Sequence, residues 1–196
     1  MTEPEPRRPT DVHAATDVRA LRALAHPLRM RLLGVLRIEG PGTSTTLARR
    51  LGESTGATSY HLRQLAAHGF VEQDLSRGAG RERWWRASQQ RTEWSMADFL
   101  DAPDQRLVAG AARREALRLY GEWVQRYLQE ELAWEREWVD AALFTDTWIR
   151  VTPAGLRALR QDLTQLIDRH DLGETEVPEA ERVVVLLSLF PTRDGV

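Results

Sequence analysis

Residues 54–71 read STGATSYHLRQLAAHGFV, and this stretch decides how the first half of the chain folds. Ser54 is a favoured N-cap residue, and a glycine closes the stretch before an apolar pair. Between these ends Thr58, Leu62 and Leu65 recur at spacings of four and three, which predicts an amphipathic helix. One face of this helix packs on the domain, while the other presents hydroxyls and a guanidinium to the outside.

The neighbouring residues predict three more helices before this one and a β-hairpin after it. The predicted helices span about 17–25, 27–40 and 43–51, and the predicted strands span 70–75 and 81–86, with a glycine-rich tip at 78–80. Two short helices joined by a glycine-containing turn form a helix-turn-helix unit, and the hairpin after it is a wing. We therefore expect a winged helix-turn-helix domain over 17–91, preceded by a disordered leader over 1–16.

Charge divides the chain in the same place. Residues 18–91 carry a net charge of +8, whereas residues 92–196 carry −8, although the whole chain has a net charge of only −2. All basic side chains are arginine, which binds phosphate and guanine through two parallel hydrogen bonds. The basic segment is suited to a polyanion such as double-stranded DNA.

The candidate DNA-binding residues fall into three groups. Ser59, Tyr60 and Arg63 lie on the outer face of the predicted recognition helix and would read base edges in the major groove. The hydroxyls at the start of the preceding helix would contact phosphates, and the wing arginines would grip the backbone or the minor groove. The full set is Thr43, Ser44, Thr45, Ser54, Thr55, Gly56, Ser59, Tyr60, His61, Arg63, Arg77, Arg81 and Arg83.

These motifs resemble a known family. LAHPLR at 24–29, GATSYHLRQL at 56–65, GFV at 69–71 and RERWW at 81–85 occur in the order seen in ArsR-type winged-helix transcription regulators. The resemblance covers about residues 18–88 and implies a homodimer on a pseudo-palindromic operator. Metal-sensing members carry Cys or paired His/Asp sites, but this chain has no Cys and five scattered His, so we expect no metal site and no cofactor.

Residues 92–196 predict a mainly helical region with a small β component. The predictions are a helix at 94–100, a long helical stretch from 103 to about 144, a strand at 147–151, a helix from 153 and a buried strand at 182–190. The long stretch carries an apolar seam at alternating spacings of three and four, as in coiled coils. Its residues Leu117, Tyr120, Val124, Tyr127, Trp134 and Trp138 form the predicted dimer interface. The whole region is expected to serve as a C-terminal dimerisation or effector region, similar to the one added in longer family members.

Two interpretations of the aromatic residues beyond residue 92 stay open. They can form a core or a dimer interface, or they can line a pocket for a small hydrophobic or cationic effector. The acid cluster at 130–140 is expected to be a solvated helix face, with Glu131 on the seam able to pair with an arginine across the dimer.

The sequence also excludes several classes of function. It has no G-x-S-x-G, P-loop, H-E-x-x-H or Rossmann motif, so we expect no enzymatic activity. No apolar stretch is long enough to span a membrane and no secretory signal is visible, which places the protein in the cytoplasm. The expected function is a sequence-specific, dimeric transcriptional regulator, most simply a repressor. The alternative is a winged-helix module that binds an acidic protein without sequence-specific DNA binding.

Overall fold

The computed structural model describes residues 12–14, 17–77, 82–173 and 177–193. Within these ranges the fold is mainly helical with a small antiparallel sheet, so the predicted fold class is confirmed. The chain forms two compact units. Among the described residues the N-terminal unit ends at Gln125, and the C-terminal unit begins at Arg126.

The N-terminal unit contains the four predicted helices in the predicted order. They are α1 (Val18–Leu24), α2 (Pro27–Ile38), α3 (Ser44–Leu51) and α4 (Thr55–Ala67), and β1 (Val12–Ala14) precedes them. Side chains of Asp17, Thr43 and Ser54 cap α1, α3 and α4, and the cap at Ser54 is the one predicted above. Gly52 ends α3 with a φ of 70°, in the left-handed region that glycine adopts without strain, and so makes the turn before α4.

A wing follows α4. Strand β2 (Gly42–Thr43) pairs with β4 (Trp84–Ala87), and β4 pairs with β3 (Val71–Gln73), so the three strands form an antiparallel sheet in the order β2-β4-β3. The register places Val71 opposite Ala87. The tip at 78–80 and Arg81 lie outside the described residues. The predicted antiparallel pairing of the two wing strands is therefore confirmed, and β2 is a third strand that the sequence did not reveal.

All four helices and the sheet share one apolar core. Leu21, Leu32, Leu62 and Leu65 are completely buried, and Phe70 is 1 % exposed. Burying each of these side chains contributes about 1.5–3 kcal/mol to the free energy of unfolding. The core fixes which face of α4 points outward, because Leu62 and Leu65 are buried on the opposite face.

Residues beyond 91 belong to the same core. Helix α5 (Pro103–Glu130) contributes Ala109, Ala112 and Leu119 to the cluster, and Phe99 joins them from the preceding turn. The predicted boundary at residue 91 therefore cuts through residues that pack together in the N-terminal unit.

Two local predictions are wrong in this region. In place of the helix at 94–100 the structure has β5 (Arg91–Glu93) and a short 3₁₀ helix, Met96–Phe99. Strand β5 pairs in parallel with β1, so residues 12–14 of the predicted disordered leader are ordered. This pairing joins residues about 80 positions apart, which local periodicity does not report. The rest of the leader, 1–11 and 15–16, lies outside the described residues.

A half-buried arginine ties the segment after β4 to α2. Arg37 donates from Nε to the carbonyl oxygen of Gln89 at 3.0 Å and from a terminal nitrogen to the hydroxyl of Thr92 at 2.7 Å. Burial lowers the pKa of Arg37 to about 10, which still leaves the guanidinium charged at neutral pH. The segment after β4 is thus fastened to the helical core.

The C-terminal unit differs from its prediction. Helix α5 ends at Glu130, a 3₁₀ turn spans Glu131–Ala133, and α6 (Arg136–Ala141) follows, so the predicted helical stretch to about 144 is interrupted. The last turn of α5 has no basic residue and its last residue is acidic, which is unfavourable at a helix C-terminus, so the helix dipole does not explain why α5 ends here. Helix α7 (Pro153–His170) begins at the predicted residue, and the side chain of Thr152 caps it.

The two strands predicted at 147–151 and 182–190 are absent. Neither segment has regular secondary structure among the described residues of the C-terminal unit, and their apolar side chains are exposed. Trp148 is 74 % exposed and Phe190 is 73 % exposed. A strand needs a second strand for its backbone hydrogen bonds, and a run of β-branched residues does not say where that strand is.

Gly34 provides a test of how α5 docks on α2. A Cβ atom at this position would lie 2.8 Å from a ring carbon of Trp123, closer than van der Waals contact allows. Because the indole ring is rigid, Gly34→Ala is expected to lower the free energy of unfolding by about 1–3 kcal/mol. Urea unfolding followed by circular dichroism measures the change.

Gly121→Ala is the matched control, since Gly121 is also inside a helix but has nothing within 4 Å of its Cβ position. This variant should be more stable than the wild type by up to about 1 kcal/mol. Equal stabilities for the two variants would contradict the close approach of α2 and α5.

Candidate nucleic-acid interface

Helix α4 has a buried face and an exposed face, as its sequence predicts. Thr58, Leu62 and Leu65 are completely buried, whereas Tyr60 is 51 % exposed and Arg63 is exposed. The Nε of Arg63 donates to the carbonyl oxygen of Ser59 one turn earlier at 3.2 Å. This bond keeps the guanidinium along the helix surface, so the outer face presents an oriented cation.

An open depression of about 290 Å³ lies between the start of α3, the outer face of α4 and the wing. Six of the sequence-predicted DNA-binding residues line it, joined by two that the sequence did not single out. The lining is Thr43, Ser44, Thr45, Ser59, Arg63, Glu82, Arg83 and Trp85. Residues 40 positions apart therefore converge on one surface that combines hydroxyls with guanidinium groups.

The hydroxyls at the start of α3 have different roles. Thr43 is 3 % exposed, and its hydroxyl accepts a hydrogen bond from the backbone nitrogen of Thr46 at 3.2 Å. Its side chain is therefore used as a helix cap. Ser44 and Thr45 are accessible at the first turn of α3, where backbone N–H groups and the helix dipole favour an anion.

The start of α4 is open. Ser54, Thr55 and Gly56 are exposed, and nothing lies within 4 Å of a Cβ atom built on Gly56. The hydroxyl of Ser54 caps α4 by accepting from the nitrogen of Ala57 at 3.2 Å. A groove or another chain can thus approach the backbone of this helix end closely.

His61 faces a different environment from the other candidates. Its ring lies 4.3 Å from the ring of His26 and 5.1 Å, edge to face, from the ring of Tyr60, measured between centroids. It does not line the depression. The structure therefore places His61 at the contact between α4 and the start of α2.

Arg77, at the base of the wing, contacts two neighbouring side chains. Its Nε lies 3.7 Å from a carboxylate oxygen of Asp74, and its guanidinium carbon lies 5.7 Å from the centroid of the Trp84 ring. Trp85, the next residue, is 4 % exposed. The indole of Trp85 therefore faces the core, whereas that of Trp84 lies beside Arg77. Arg83 is exposed, and Arg81 is outside the described residues.

Sequence reasoning missed Glu82 and Trp85 as members of this surface. An acidic residue in a basic segment carries no signal of its own, and two adjacent tryptophans in a strand do not say which of them faces inward. The strand alternation in β4 could have placed Trp85 beneath the depression, because its neighbours on both sides face away from it.

The residues of the predicted dimer interface are not equally accessible. Leu117 is 52 % exposed and Trp134 is 39 % exposed. Tyr120 packs partly against the apolar core of the N-terminal unit, and Val124, Tyr127 and Trp138 are half-buried. Tyr127 contributes a ring contact with Phe144 at 5.7 Å. Tyr120 thus already has contacts within its own chain.

No group of three or more His, Asp or Glu side chains is arranged to hold a metal ion in the described ranges. None of the described helices combines the length and the apolar character that crossing a bilayer requires.

Comparison with known proteins agrees with this geometry. A family model described as a helix-turn-helix domain matches residues 24–74, the segment from the end of α1 to the end of the first wing strand. No curated protein matches the chain. The chain therefore carries a helix-turn-helix domain, and further helices follow it.

Asp74 tests the anchoring of the wing. Burial by itself raises the pKa of this carboxyl. Hydrogen bonds from the hydroxyl and backbone of Ser76, together with the charges of Arg86 and Arg77, lower the pKa by more than burial raises it, so the pKa is below its ordinary value. Its contribution to stability is therefore present above about pH 3.9 and is lost as the pH falls through the lower folded pKa.

Asp74→Asn is expected to lower the free energy of unfolding by about 1 kcal/mol at pH 7, because the amide still accepts from Ser76 but is not charged. The difference from the wild type should shrink at about pH 3. Urea unfolding at both pH values measures it. Asp101→Asn, at an exposed carboxylate, should show little difference at either pH, and a loss as large as that of Asp74→Asn would count against the wing anchor.

Proposed function

We propose that the protein is a sequence-specific, DNA-binding transcriptional regulator that acts as a dimer and represses by occupying its operator. The observation that carries this proposal is the depression in which α3, α4 and the wing converge, because five of its eight lining residues lie in the segment 24–74 that matches a helix-turn-helix domain. Its hydroxyl and guanidinium groups are the groups that bind phosphates and base edges.

Helix α4 is the recognition helix in this proposal. Its exposed start lets it enter the major groove, where Ser59, Tyr60 and Arg63 meet base edges. The N-terminus of α3, with Ser44 and Thr45, receives a backbone phosphate and sets the register. The net charge of +8 over 18–91 attracts the duplex, while the net charge of −8 over 92–196 keeps the rest of the chain away from it.

The wing makes the second contact with DNA. Arg83 borders the depression, and Arg77 is oriented by Asp74 and Trp84. Guanidinium groups placed in this way bind phosphates or enter a narrow minor groove. These contacts add affinity for any sequence, so sequence preference rests on α4.

The exposed apolar residues of the C-terminal unit support dimerisation. Leu132 is 97 % exposed, Leu143 is 78 % exposed and Trp148 is 74 % exposed. Soluble monomers rarely expose so many large apolar side chains together. A second copy of the chain supplies the cover, and two recognition helices then read the two halves of a pseudo-palindromic operator.

The proposal includes that the protein is an ArsR-like regulator and that a small effector controls it. The ring centroids of Tyr127 and Phe144 are 5.7 Å apart, and those of Trp134 and Trp138 are 6.3 Å apart. Such a set suits a small hydrophobic or cationic effector that would change operator affinity. The regulator acts in the cytoplasm, where its DNA is, and it has no catalytic activity, so turnover of any small molecule would contradict this assignment.

Two arginine substitutions test the DNA contacts. Selection from a random duplex pool first supplies a preferred operator. On this operator Arg63→Ala should cost about 1–3 kcal/mol and reduce the preference over random duplex. Arg83→Ala should weaken both duplexes alike and reduce the slope of log affinity against log salt by about one.

Fluorescence anisotropy with labelled duplexes measures these affinities. Arg157→Ala, at an exposed arginine of α7, is the control and should change neither duplex. If wild-type protein bound operator and random duplex equally, the domain would be a protein-binding winged helix instead. If Arg63→Ala kept the full preference, α4 would present a different face to the bases.

Trp134→Glu tests the dimer. A carboxylate in an apolar interface is expected to weaken the dimer at least about tenfold, because the charge must be desolvated. Sedimentation equilibrium over a range of protein concentrations gives the association constant. Leu75→Glu changes a side chain that is 84 % exposed outside the predicted interface and should leave the association constant unchanged. A wild-type protein that sediments as a monomer at all concentrations would refute the dimer.

A further inference from the structure

Two histidine rings meet where the start of α2 packs against α4. The centroids of His26 and His61 are 4.3 Å apart and their planes are tilted by 40°. His26 is the N-cap of α2, and its Nδ1 accepts a hydrogen bond from the backbone nitrogen of Leu28 at 3.2 Å. The Nδ1 of His61 is buried and has no hydrogen-bond partner within the part of the chain that the structure describes.

This contact requires neutral rings. An imidazole nitrogen accepts a hydrogen bond only when it carries no proton, so protonating Nδ1 of His26 removes the cap of α2. A positive charge at a helix N-terminus is also opposed by the helix dipole. A second positive charge on His61 would be 4.3 Å away in a partly buried position, where repulsion is stronger than in water.

Some charged groups around the two histidines lower their pKa values, and others raise them. Arg29, on the first turn of α2, faces both rings, and its guanidinium is fixed by bonds to the carbonyl oxygens of Ala23 and Arg22. Glu115 of α5 faces His26, and Glu53 in the turn before α4 faces both histidines.

The net effect favours the neutral forms. Burial lowers the pKa of both histidines, and Arg29 lowers each pKa further. For His61 the neighbouring His26 also lowers the pKa, and the carboxylates of Glu53 and Glu115 oppose these effects only in part. The phenol of Tyr60 meets the His61 ring by its edge and completes the surroundings of the pair.

We propose that the His26–His61 contact is a proton-sensitive joint that holds the recognition helix α4 against α2 while both rings are neutral and loosens when they are protonated. Acidification would then weaken DNA binding. The joint itself is independent of the proposed function, but its effect on DNA rests on that function.

The sign of the effect separates this joint from general electrostatics. Because the folded pKa values lie below the ordinary value of about 6.5, the stability that the contact provides is present above that pH and is lost as the pH falls below it. Affinity for DNA should fall in the same direction. A basic DNA-binding surface without such a joint behaves in the opposite way, since protonation adds positive charge and strengthens phosphate contacts.

The first test measures folding without DNA. Full-length protein is unfolded with urea at pH 7.5 and at pH 5.5. Each histidine that must be neutral in the folded state can lower the folding constant up to about tenfold over this range. His26→Asn keeps an N-cap acceptor but cannot be protonated, so a large part of this loss should disappear. His68→Gln, at the end of α4 and outside the pair, should keep the wild-type loss.

His61→Gln provides a second variant if His26→Asn does not fold, and it should also reduce the pH dependence. The joint is refuted if either variant, once folded, loses as much stability on acidification as the wild type and His68→Gln.

The second test measures binding to the selected operator at pH 7.5 and 5.5 and constant ionic strength. The wild type and His68→Gln should bind more weakly at pH 5.5, and His26→Asn should show a smaller ratio between the two affinities. Tighter wild-type binding at pH 5.5 would refute the joint's control of DNA binding. A protein that binds no duplex at either pH would refute the proposed function, while the urea series would still decide the joint.

Discussion

The packing of α4 on the helical core is the constraint on which the rest of the N-terminal unit depends. Thr58, Leu62 and Leu65 have no exposed surface, so the helix cannot rotate without opening the core. Its opposite face, with Tyr60 and Arg63, is therefore fixed toward the outside. A recognition surface needs this rigidity, because base readout depends on side chains held in one orientation.

Strand β2 connects the wing to the helices that pack around α4. This strand ends at the residue that caps α3 and pairs with β4, so the start of α3 and the base of the wing are set together. The depression arises from this connection, since it collects hydroxyls from α3, a guanidinium from α4 and Arg83 from the wing. Arg37 fastens the segment after β4 to α2, and Asp74 orders the turn after β3. Small polar contacts thus position a surface that the apolar core alone would leave loose.

The C-terminal unit differs from the N-terminal unit in how it buries its apolar side chains. Its helix α7 has no buried residue, and apolar side chains from Val183 to Phe190 are 37–73 % exposed. A chain gains stability from such residues only by covering them, which is the physical reason for proposing a second copy. Helix α5 ends at Glu130 although an acidic residue is unfavourable at a helix C-terminus, so the break in the predicted apolar seam is not explained by charge at the helix end.

The sequence by itself determined the local elements of the N-terminal unit. Caps at Asp17, Thr43 and Ser54, the glycine after α3 and the helical spacing of apolar residues are short-range signals that act within one turn, so helix order and the outer face of α4 followed from them. Only the tertiary structure decided which distant segments meet. The pairing of β1 with β5, the third strand of the wing, the contact of His26 with His61 and the presence of Glu82 in the depression all join residues whose separation leaves no periodic trace. Such contacts are selected by the packing of the whole core, and the apolar runs at 147–151 and 182–190 did not form the predicted strands.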